Sequence, residues 1–561
     1  MTPIETKIIK VSPDLSGEHD LDQLRFAAEI IKKGGLVAFP TETVYGLGAN
    51  ALDTDAVEHI FKAKGRPQDN PLILHVSSFR DIETYCNTDN RYLSAVTPLM
   101  PGPLTVILPK KDNVPDVVTA GLPNAAIRVP ENIIARKLIE YAGVPIAAPS
   151  ANLSGKPSPT CAVHVIDDLY GKVDLIIDGG STSVGLESTV VTLCTNPPTL
   201  LRPGGVTYEQ LCSVFGEVTL SDSILGELRP DEKAAAPGMK YKHYAPKTPV
   251  YLLSGKEEGV LAFLRKRQQI QACAILCFEE DIPFLEKGNL RSIGKKSAPE
   301  RYAKELFDAL RKTDEYNNIK AVYARIPQTK TGISLAVYNR LLKASGFHTI
   351  NTDTCTSRLL TVGVTGPSGS GKGLFSETAK ELGYPCIDTD LVARKIVEKG
   401  KPALTELVVC FGTEILHSDG SLDRKKLASI AFGSEKSLAC LNEITHKYIS
   451  DEVNSFLLAC EKNGDTMAFI DAPVLFDSNI AHICDKTIAI IANKELRLNR
   501  IMERDGLSKE DALLRLSAAK SHAFFEENCD YVITNDHDKN TFLSKAKITL
   551  HELSVLAKTL L

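Results

Sequence analysis

The run "RLLTVGVTGPSGSGKGLFSETAKELG" restricts the folds open to this chain. An apolar strand-like stretch ends at Gly366, a glycine-rich loop follows, and a helical stretch closes at Gly383. The loop fits G-x-x-x-x-G-K through Gly366, Gly371 and Lys372. Its glycines let backbone N–H groups turn toward an anion, and the helix N-terminus adds partial positive charge. Lys372 then neutralises terminal phosphates. A plain turn with an exposed lysine would not need this order. Gly369, Ser370, Gly371, Lys372, Gly373 and Leu374 are the expected nucleotide contacts. Gly373 stands where a Ser or Thr hydroxyl usually ligates Mg²⁺. Ser370 and Ser376 are nearby, but neither occupies the ligand position.

A chain of 561 residues is too long for one core, so several domains are expected. Up to residue 215, runs such as "GGLVAFP", "NPLILHV", "LTVILP", "AAIRVP", "VPIAAPSAN", "VDLIIDGG" and "STVVTL" read as strands bounded by Gly, Pro or Asn. "LDQLRFAAEIIKKG" and "ENIIARKLIEYAG" read as helices. This spacing predicts an α/β domain over 1–215 with a large mixed sheet. Residues 216–248 read as a linker or lid, and 249–350 as a small Rossmann-like α/β domain. Residues 351–561 are expected to form a P-loop kinase domain on a parallel sheet.

Hydrophobic residues make up 43% and charged residues 24%, an ordinary globular balance. The net charge of −5, with no long basic run, argues against sequence-independent nucleic-acid binding. No apolar run is long enough to span a bilayer, and the N-terminus has no signal-peptide pattern. A cytoplasmic protein with reduced thiols is therefore expected. The 13 cysteines are scattered, and Cys273 and Cys277 read as buried strand residues rather than metal ligands. No protein metal site and no tightly bound cofactor are expected, only Mg²⁺ arriving with ATP.

A second polar constellation lies upstream. "PTETVYGLG", "KAKGRPQDNPLILHV", "APSANLSG", "ESTVV" and "LRPG" place short hydroxyl, amide and basic side chains at strand ends. Lys64 and Arg66 are expected in a loop beside Gly and Pro. Together these residues suggest a concave pocket for an anionic nucleotide.

The C-terminal third, with "IDTDLVARKIVEKG", "DGSLDRKKLASIAF", "FIDAPVLFD", "RIMERDGLSKEDALLRL" and "DYVITN", resembles dephospho-CoA kinases. That resemblance implies transfer of the ATP γ-phosphoryl group to the 3′-hydroxyl of dephospho-CoA. It implies Asp390 as general base, Arg394 on substrate phosphate, and Arg500, Arg504 and Arg515 as a lid on ATP. Arg497 reads as a solvated helix residue. The chain departs from the family at Gly373, at His446-Lys447, at Ala519 and at Phe525, each change removing a polar contact.

Residues 10–346 resemble the long form of the YrdC-type threonylcarbamoyl-AMP synthases. "KAKGRP" and "SAN" match family elements, and "PGMKYKHYAP" and "AVYNRLLKASG" match its linker and extra domain. The resemblance implies condensation of L-threonine, bicarbonate and ATP to threonylcarbamoyl-adenylate and pyrophosphate. The product would pass to the tRNA threonylcarbamoyl transferase complex. It implies that Thr43, His75, Arg128, Ala148 and Ser188 hold threonine. It places Arg66, Asn70, Asn124, Ser150, Asn152, Ser158, Arg202 and Tyr241 around ATP, with Lys64 near the phosphates and catalytic alongside Arg66. Two other readings are a synthase whose kinase-like domain only binds nucleotide, and an RNA-binding module with a basic concave face. A weak RNA contact is compatible with the first.

Overall fold

A computed structural model describes residues 5–89, 91–224, 226, 244–517 and 520–559. Tyr241 and Ala519 lie outside the described residues. The described chain forms two compact units, Met1–Ser254 with Ala272–Thr349, and Gly255–Gln271 with Ile350–Leu561.

The first unit holds a large mixed sheet. Its spatial order is Lys7–Lys10, Leu175–Asp178, Val37–Phe39, Gly46–Asn50, Ile146–Ala148, Ile73–His75, Asn124–Arg128, Leu104–Pro109, Thr189–Thr192, Thr199–Arg202 and Thr219–Leu220. The three central strands carry the site: Ile73–His75 runs parallel to Asn124–Arg128 and antiparallel to Ile146–Ala148. His75 thereby lies opposite Arg128. The helices Glu18–Lys32 and Ile133–Ala142 cover one face, burying Leu24, Ile31, Ile134 and Leu138 completely. The helix Thr54–Lys64 covers the other with Val57, Ile60 and Phe61. A smaller sheet of the same unit orders Asn289–Ser292, Cys273–Cys277, Ala321–Arg325 and Val250–Ser254, all parallel. Cys273 and Cys277 are buried on it. The edge strand Asn289–Ser292 escapes sequence reading because it is only half-buried and lacks alternation.

The second unit is a parallel sheet in the order Cys386–Asp388, Met467–Asp471, Leu360–Thr365, Lys486–Ile491, Tyr531–Thr534. The fold class expected from sequence is observed: a mixed-sheet α/β domain, a small α/β sheet, and a P-loop unit on a parallel sheet. Among the described residues, no helix is long and apolar enough to cross a membrane. Cys410 and Cys440 are joined in a disulfide, where sequence reading expects reduced thiols.

The helix Glu257–Ile270 reads from sequence as part of the small domain, yet its packing belongs to the second unit. Lys266 Nζ reaches Asp485 Oδ2 at 2.7 Å and the carbonyl of Leu359 at 2.7 Å. Arg267 Nη1 lies 3.0 Å from Asp485 Oδ1. Asp485 also accepts from the amide of Thr361 at 2.8 Å, so the carboxylate ties the helix to the central strand. Burial alone would raise the Asp485 pKa, but the two cations hold it below the usual range. Removing one partner of a buried ionic cluster leaves the others uncompensated, typically costing about 3–5 kcal/mol. Asp485→Ala is therefore expected to lower the unfolding free energy of the second unit by that order, read by urea denaturation. A loss close to zero would contradict the clamp.

Candidate active sites

The candidate nucleotide cavity of the first unit is built where several strands end. It measures about 700 Å³ counted to its open mouth, and Lys64, Arg66, Ser150 and Arg202 all line it. Thr43, His75, Arg128, Ala148, Asn152 and Ser188 line it too. Residues far apart in sequence thus share one wall, as the sequence reading requires.

Lys64 is not in a loop. It closes the helix Thr54–Lys64, which Asp53 caps at its start and left-handed Gly65 ends. Sequence reading misses this helix, so it places the basic pair wrongly. Gly65 turns the chain so that Arg66 leaves in a new direction. The Lys64 ammonium donates to the carbonyls of Ser150 and Asn152, fixing the turn between them. Ser150 Oγ donates to Asn152 Oδ1 at 2.5 Å. Arg66 Nη2 donates to the carbonyl of Pro71 at 3.2 Å, while its buried Nε finds no hydrogen-bond partner among the described residues.

Across the cavity, Arg202 Nε donates to Ser188 O at 3.1 Å and its Nη2 to Ser188 Oγ at 3.2 Å. Arg128 is paired with Glu42, a partner the sequence reading does not name. Glu187, on the wall, accepts from Ser158 and from Arg340 Nε at 2.8 Å. Arg340 comes from the helix Ile333–Ser345 and is completely buried. Its role is hidden in sequence because "AVYNRLLKASG" reads as an ordinary helix, in which an arginine is expected to face solvent.

Three predicted contacts are not on the wall. Ser158 is buried behind it, bound to Glu187. Asn70 is buried, with its Oδ1 lacking a hydrogen-bond partner among the described residues. Asn124 starts the strand that ends in Arg128, so the two are separated by about 13 Å at roughly 3.3 Å per residue. Tyr244, three residues beyond Tyr241, lines the cavity.

The electrostatics are those of crowded cations. Burial, then Arg66, hold the Lys64 pKa well below its ordinary value. Burial lowers Arg66 to about 10, with Arg202 contributing. Burial and Arg340 lower Arg202. Desolvated like charges that depress one another would be relieved by an incoming anion. Glu187 and Glu42 supply the carboxylates facing this cluster.

The phosphate loop of the second unit is held by its carbonyls. Arg497 Nε donates to Ser368 O at 2.9 Å, Asn535 Nδ2 to Ser370 O at 2.8 Å, and Arg500 Nη1 to Gly369 O at 3.3 Å. Arg497 is buried, not the solvated residue expected from sequence. Gly371 adopts φ 94°, and a Cβ there would collide with the Asn535 amide. Lys372 forms an ion pair with Asp471. Burial lowers its pKa, which Asp390 and Asp388 partly offset. Ser376 Oγ donates to Asp471 Oδ2 at 2.8 Å. Sequence reading misses Asp471 because "FIDAP" looks like an ordinary buried strand end.

Asp388 caps the helix Thr389–Lys395 by accepting from Asp390 N at 2.8 Å and Leu391 N at 3.2 Å. Asp390 is exposed beside the loop lysine, and Arg394 sits in the last turn of that helix. Arg500 touches the loop, but Arg504 and Arg515 are both bound by Asp505 at 2.8 Å. Phe525 is buried against Ala489 and Ile491, so packing replaces the polar contact. A Cβ on Gly373 would meet nothing within 4 Å.

A buried cation cavity and a strand–loop–helix phosphate cradle define a nucleotide-dependent transferase with two sites. A family model described as "Telomere recombination" (Sua5, YciO and YrdC) matches residues 29–204, and one for the C-terminal domain of threonylcarbamoyl-AMP synthase matches 206–346. One for dephospho-CoA kinase matches residues 360–540. The chain is 45% identical over 337 residues to the threonylcarbamoyl-AMP synthase of Pyrococcus abyssi, covering 58% of this chain and 95% of that protein. It is 38% identical over 175 residues to a dephospho-CoA kinase of Bacillus anthracis, covering 31% of this chain and 88% of that one. A crystal structure of P. abyssi Sua5 complexed with L-threonine aligns with TM-score 0.57 and 43% identity, covering 61% of this chain and 99% of that one. The chain is an enzyme that belongs to the threonylcarbamoyl-AMP synthase family over its N-terminal part and to the dephospho-CoA kinase family over its C-terminal part.

His75 gives a direct check on the cavity. Burial and then Arg128 push its pKa down to about 3, leaving a neutral ring whose Nδ1 donates to Ile73 O at 3.1 Å. Its NMR resonances are expected to stay flat between about pH 5 and 8. The unfolded chain holds the proton up to a pKa of about 6.5. Stability from this group therefore rises with pH between those two values and is complete above the higher one. A His75 titration near pH 6.5 would overturn the buried placement.

Proposed function

We propose that the first unit makes threonylcarbamoyl-adenylate and pyrophosphate from L-threonine, bicarbonate and ATP. The observation that carries this is the convergence of three cations, Lys64, Arg66 and Arg202, on one cavity wall, each held below its ordinary pKa chiefly by burial. The related synthase complexed with L-threonine supports the amino-acid substrate.

The threonine amino group attacks bicarbonate, giving a carbamate and releasing water. A carbamate oxygen then attacks the α-phosphorus, and the bond to the β-phosphate oxygen breaks to expel pyrophosphate. Arg66 and Arg202 stabilise the charge that develops on the phosphates. Lys64 acts by fixing the Ser150–Asn152 turn and by its field. Arg128, oriented by Glu42, offers its guanidinium to the threonine carboxylate. Thr43, His75, Ala148 and Ser188 shape the threonine end. Burial protects the labile carbamate from water. The product would go on to a tRNA threonylcarbamoyl transferase. Crowding of the cations in a pit, not along an exposed face, favours this reading over an RNA-binding module.

For the second unit, we propose phosphoryl transfer from ATP to the 3′-hydroxyl of dephospho-CoA. Among the described residues, no group of three or more His, Cys, Asp or Glu is placed to hold a metal ion. Mg²⁺ would therefore be carried by the nucleotide phosphates, the common mode for this ion, with Asp471 and Ser376 as the nearest oxygen donors. When bound it would neutralise charge on the transferring phosphoryl group. Asp390 takes the hydroxyl proton, while Arg394 and Arg500 hold phosphates.

Removing one preorganised donor typically costs about 10²–10³ in rate. Arg66→Ala is expected to lose that much of the pyrophosphate release that depends on threonine and bicarbonate. Unchanged release would reject the synthase assignment. Gly373→Ser restores the hydroxyl into open space and is expected to raise dephospho-CoA phosphorylation by about tenfold, the worth of one hydrogen-bonded ligand of about 1.4 kcal/mol. A fast wild-type rate that the substitution leaves unmoved would refute the metal-ligand argument.

A further inference from the structure

The cavity wall carries one more cation, which the sequence reading leaves out. Lys156 lines the cavity together with Lys64, Arg66, Arg128 and Arg202. It ends a turn that the site's own residues hold in place. The Lys64 ammonium donates to the carbonyls of Ser150 and Asn152, and Lys64 O accepts from Ser154 N at 3.0 Å. Asn152 Nδ2 donates to the carbonyls of Leu153 and Lys156, both at 2.8 Å. Gly155, at φ 90°, turns the chain, and its carbonyl accepts from Ala245 N at 3.0 Å. The backbone at Lys156 is thereby fixed to the two elements, Lys-x-Arg and Ser-x-Asn, that build the cavity. A second cleft of the first unit, about 980 Å³ counted to its open mouth, also has Lys156 on its wall. The two linings share this residue, so it stands on the rim between them.

The cations of the wall differ in how far they can move. Lys64 is 2% exposed, and its ammonium is spent on two carbonyls. Arg128 is bound to Glu42, and Arg202 to Ser188. The Lys156 side chain is instead 38% exposed, and its Nζ donates to Asp168 Oδ1 at 2.7 Å. Asp168 lies on the helix Ala162–Leu169 with its side chain completely buried. Its other oxygen takes Arg311 Nη2 of the helix Pro299–Lys312 at 2.7 Å and the amide of Leu153 at 3.4 Å. Burial works to raise the Asp168 pKa, but Arg311, ahead of Lys156, outweighs it and keeps the carboxylate ionised. Departure of the Lys156 ammonium therefore leaves no unpaired buried charge, since Arg311 stays.

We propose that Lys156 is a further substrate-contacting residue of the first site, whose ammonium passes from Asp168 to the terminal phosphates of ATP and then holds the leaving pyrophosphate. This rests on the synthase reading of the cavity. Three features support it. The Lys64 ammonium is occupied by backbone, so the direct contact to phosphate falls to another cation. An ammonium on a flexible four-carbon stem follows a moving phosphate better than a guanidinium locked in a fork. The rim is also where a departing anion must pass. As the bond between the α-phosphorus and the bridging oxygen breaks, negative charge gathers on the pyrophosphate, and a cation there stabilises it.

The test compares the full chain with its Lys156→Gln and Lys156→Arg variants. Binding of ATP, inorganic pyrophosphate and L-threonine is measured separately by calorimetry. All three proteins carry Lys372→Ala in that measurement, to remove the lysine of the other phosphate loop. Lys156→Gln is expected to weaken ATP and pyrophosphate by about tenfold, the worth of one charge-assisted hydrogen bond, and to leave threonine affinity unchanged. Lys156→Arg should recover most of the loss. In the protein with Lys372 intact, inhibition of threonine-dependent turnover by added pyrophosphate should weaken by the same factor in Lys156→Gln. A purely structural pairing with Asp168 would instead lower threonine and phosphate affinities together. That result, or ATP and pyrophosphate affinities unmoved by Lys156→Gln, overturns the proposal. Absence of threonine-dependent pyrophosphate release from the wild-type chain would overturn the synthase reading, while the pyrophosphate titration still decides the role of Lys156.

Discussion

Desolvated positive charge is the constraint around which the first unit is arranged. Burying a cation is expensive unless hydrogen bonds or counter-charges replace its water. Each cation of the cavity meets that requirement differently. Lys64 rests on the carbonyls of Ser150 and Asn152, Arg128 on Glu42, and Arg202 on both oxygens of Ser188. These supports are backbone or short side chains at strand ends, which the sheet order brings together. The pKa values of Lys64, Arg66 and Arg202 remain depressed nonetheless, so the supports are incomplete. An incoming anion would complete them.

Glu187 shows how the smaller sheet enters this balance. One of its oxygens accepts from Ser158, and the other is held by Arg340 on the helix Ile333–Ser345. Arg340 is completely buried, and it leans on the ring of Tyr244, 5.8 Å from the centroid. Tyr244 in turn lines the cavity, and burial pushes its hydroxyl up to about 12, so it stays neutral. The helix of the smaller sheet therefore fixes a carboxylate on the wall of the larger one. The additional domain of the long form is part of the site's electrostatics, not an appendage.

Much of this is readable from sequence because the relevant signals are local. Strands bounded by Gly and Pro, the G-x-x-x-x-G-K loop, and the Lys-x-Arg and Ser-x-Asn elements each occupy a few residues. What escapes is non-local. Glu42, Glu187, Arg340 and Asp471 act through partners between 86 and 153 residues away for the salt bridges of the first unit and 95 away for Ser376 with Asp471. No periodicity or spacing encodes such pairs. The helix Thr54–Lys64 escapes for another reason: its charged face dilutes the apolar spacing, although Asp53 and Gly65 mark both ends. The helix Glu257–Ile270 reads as contiguous with its neighbouring strands, and only the burial of Lys266 and Arg267 against Asp485 assigns it elsewhere.

The two sites hold their arginines in opposite ways, and the difference bears on how each closes. In the first unit Arg202 and Arg128 are almost fully buried, so they are positioned before any ligand arrives. In the second, Arg504 and Arg515 are about half exposed and share the single carboxylate of Asp505. Exposed ion pairs contribute little, because water and salt compete for both charges. A triphosphate offers more charge and bidentate geometry than Asp505 does. Exchange of Asp505 for a phosphate would cost no buried contact. Arg497 and Arg500, by contrast, are occupied with the loop's carbonyls and set its shape beforehand. The helix Lys494–Asp505 therefore divides along its length: Arg497 and Arg500 support the loop, while Arg504 in its last turn, with Arg515 of the helix Lys509–Ser517, stays on the exposed side of Asp505.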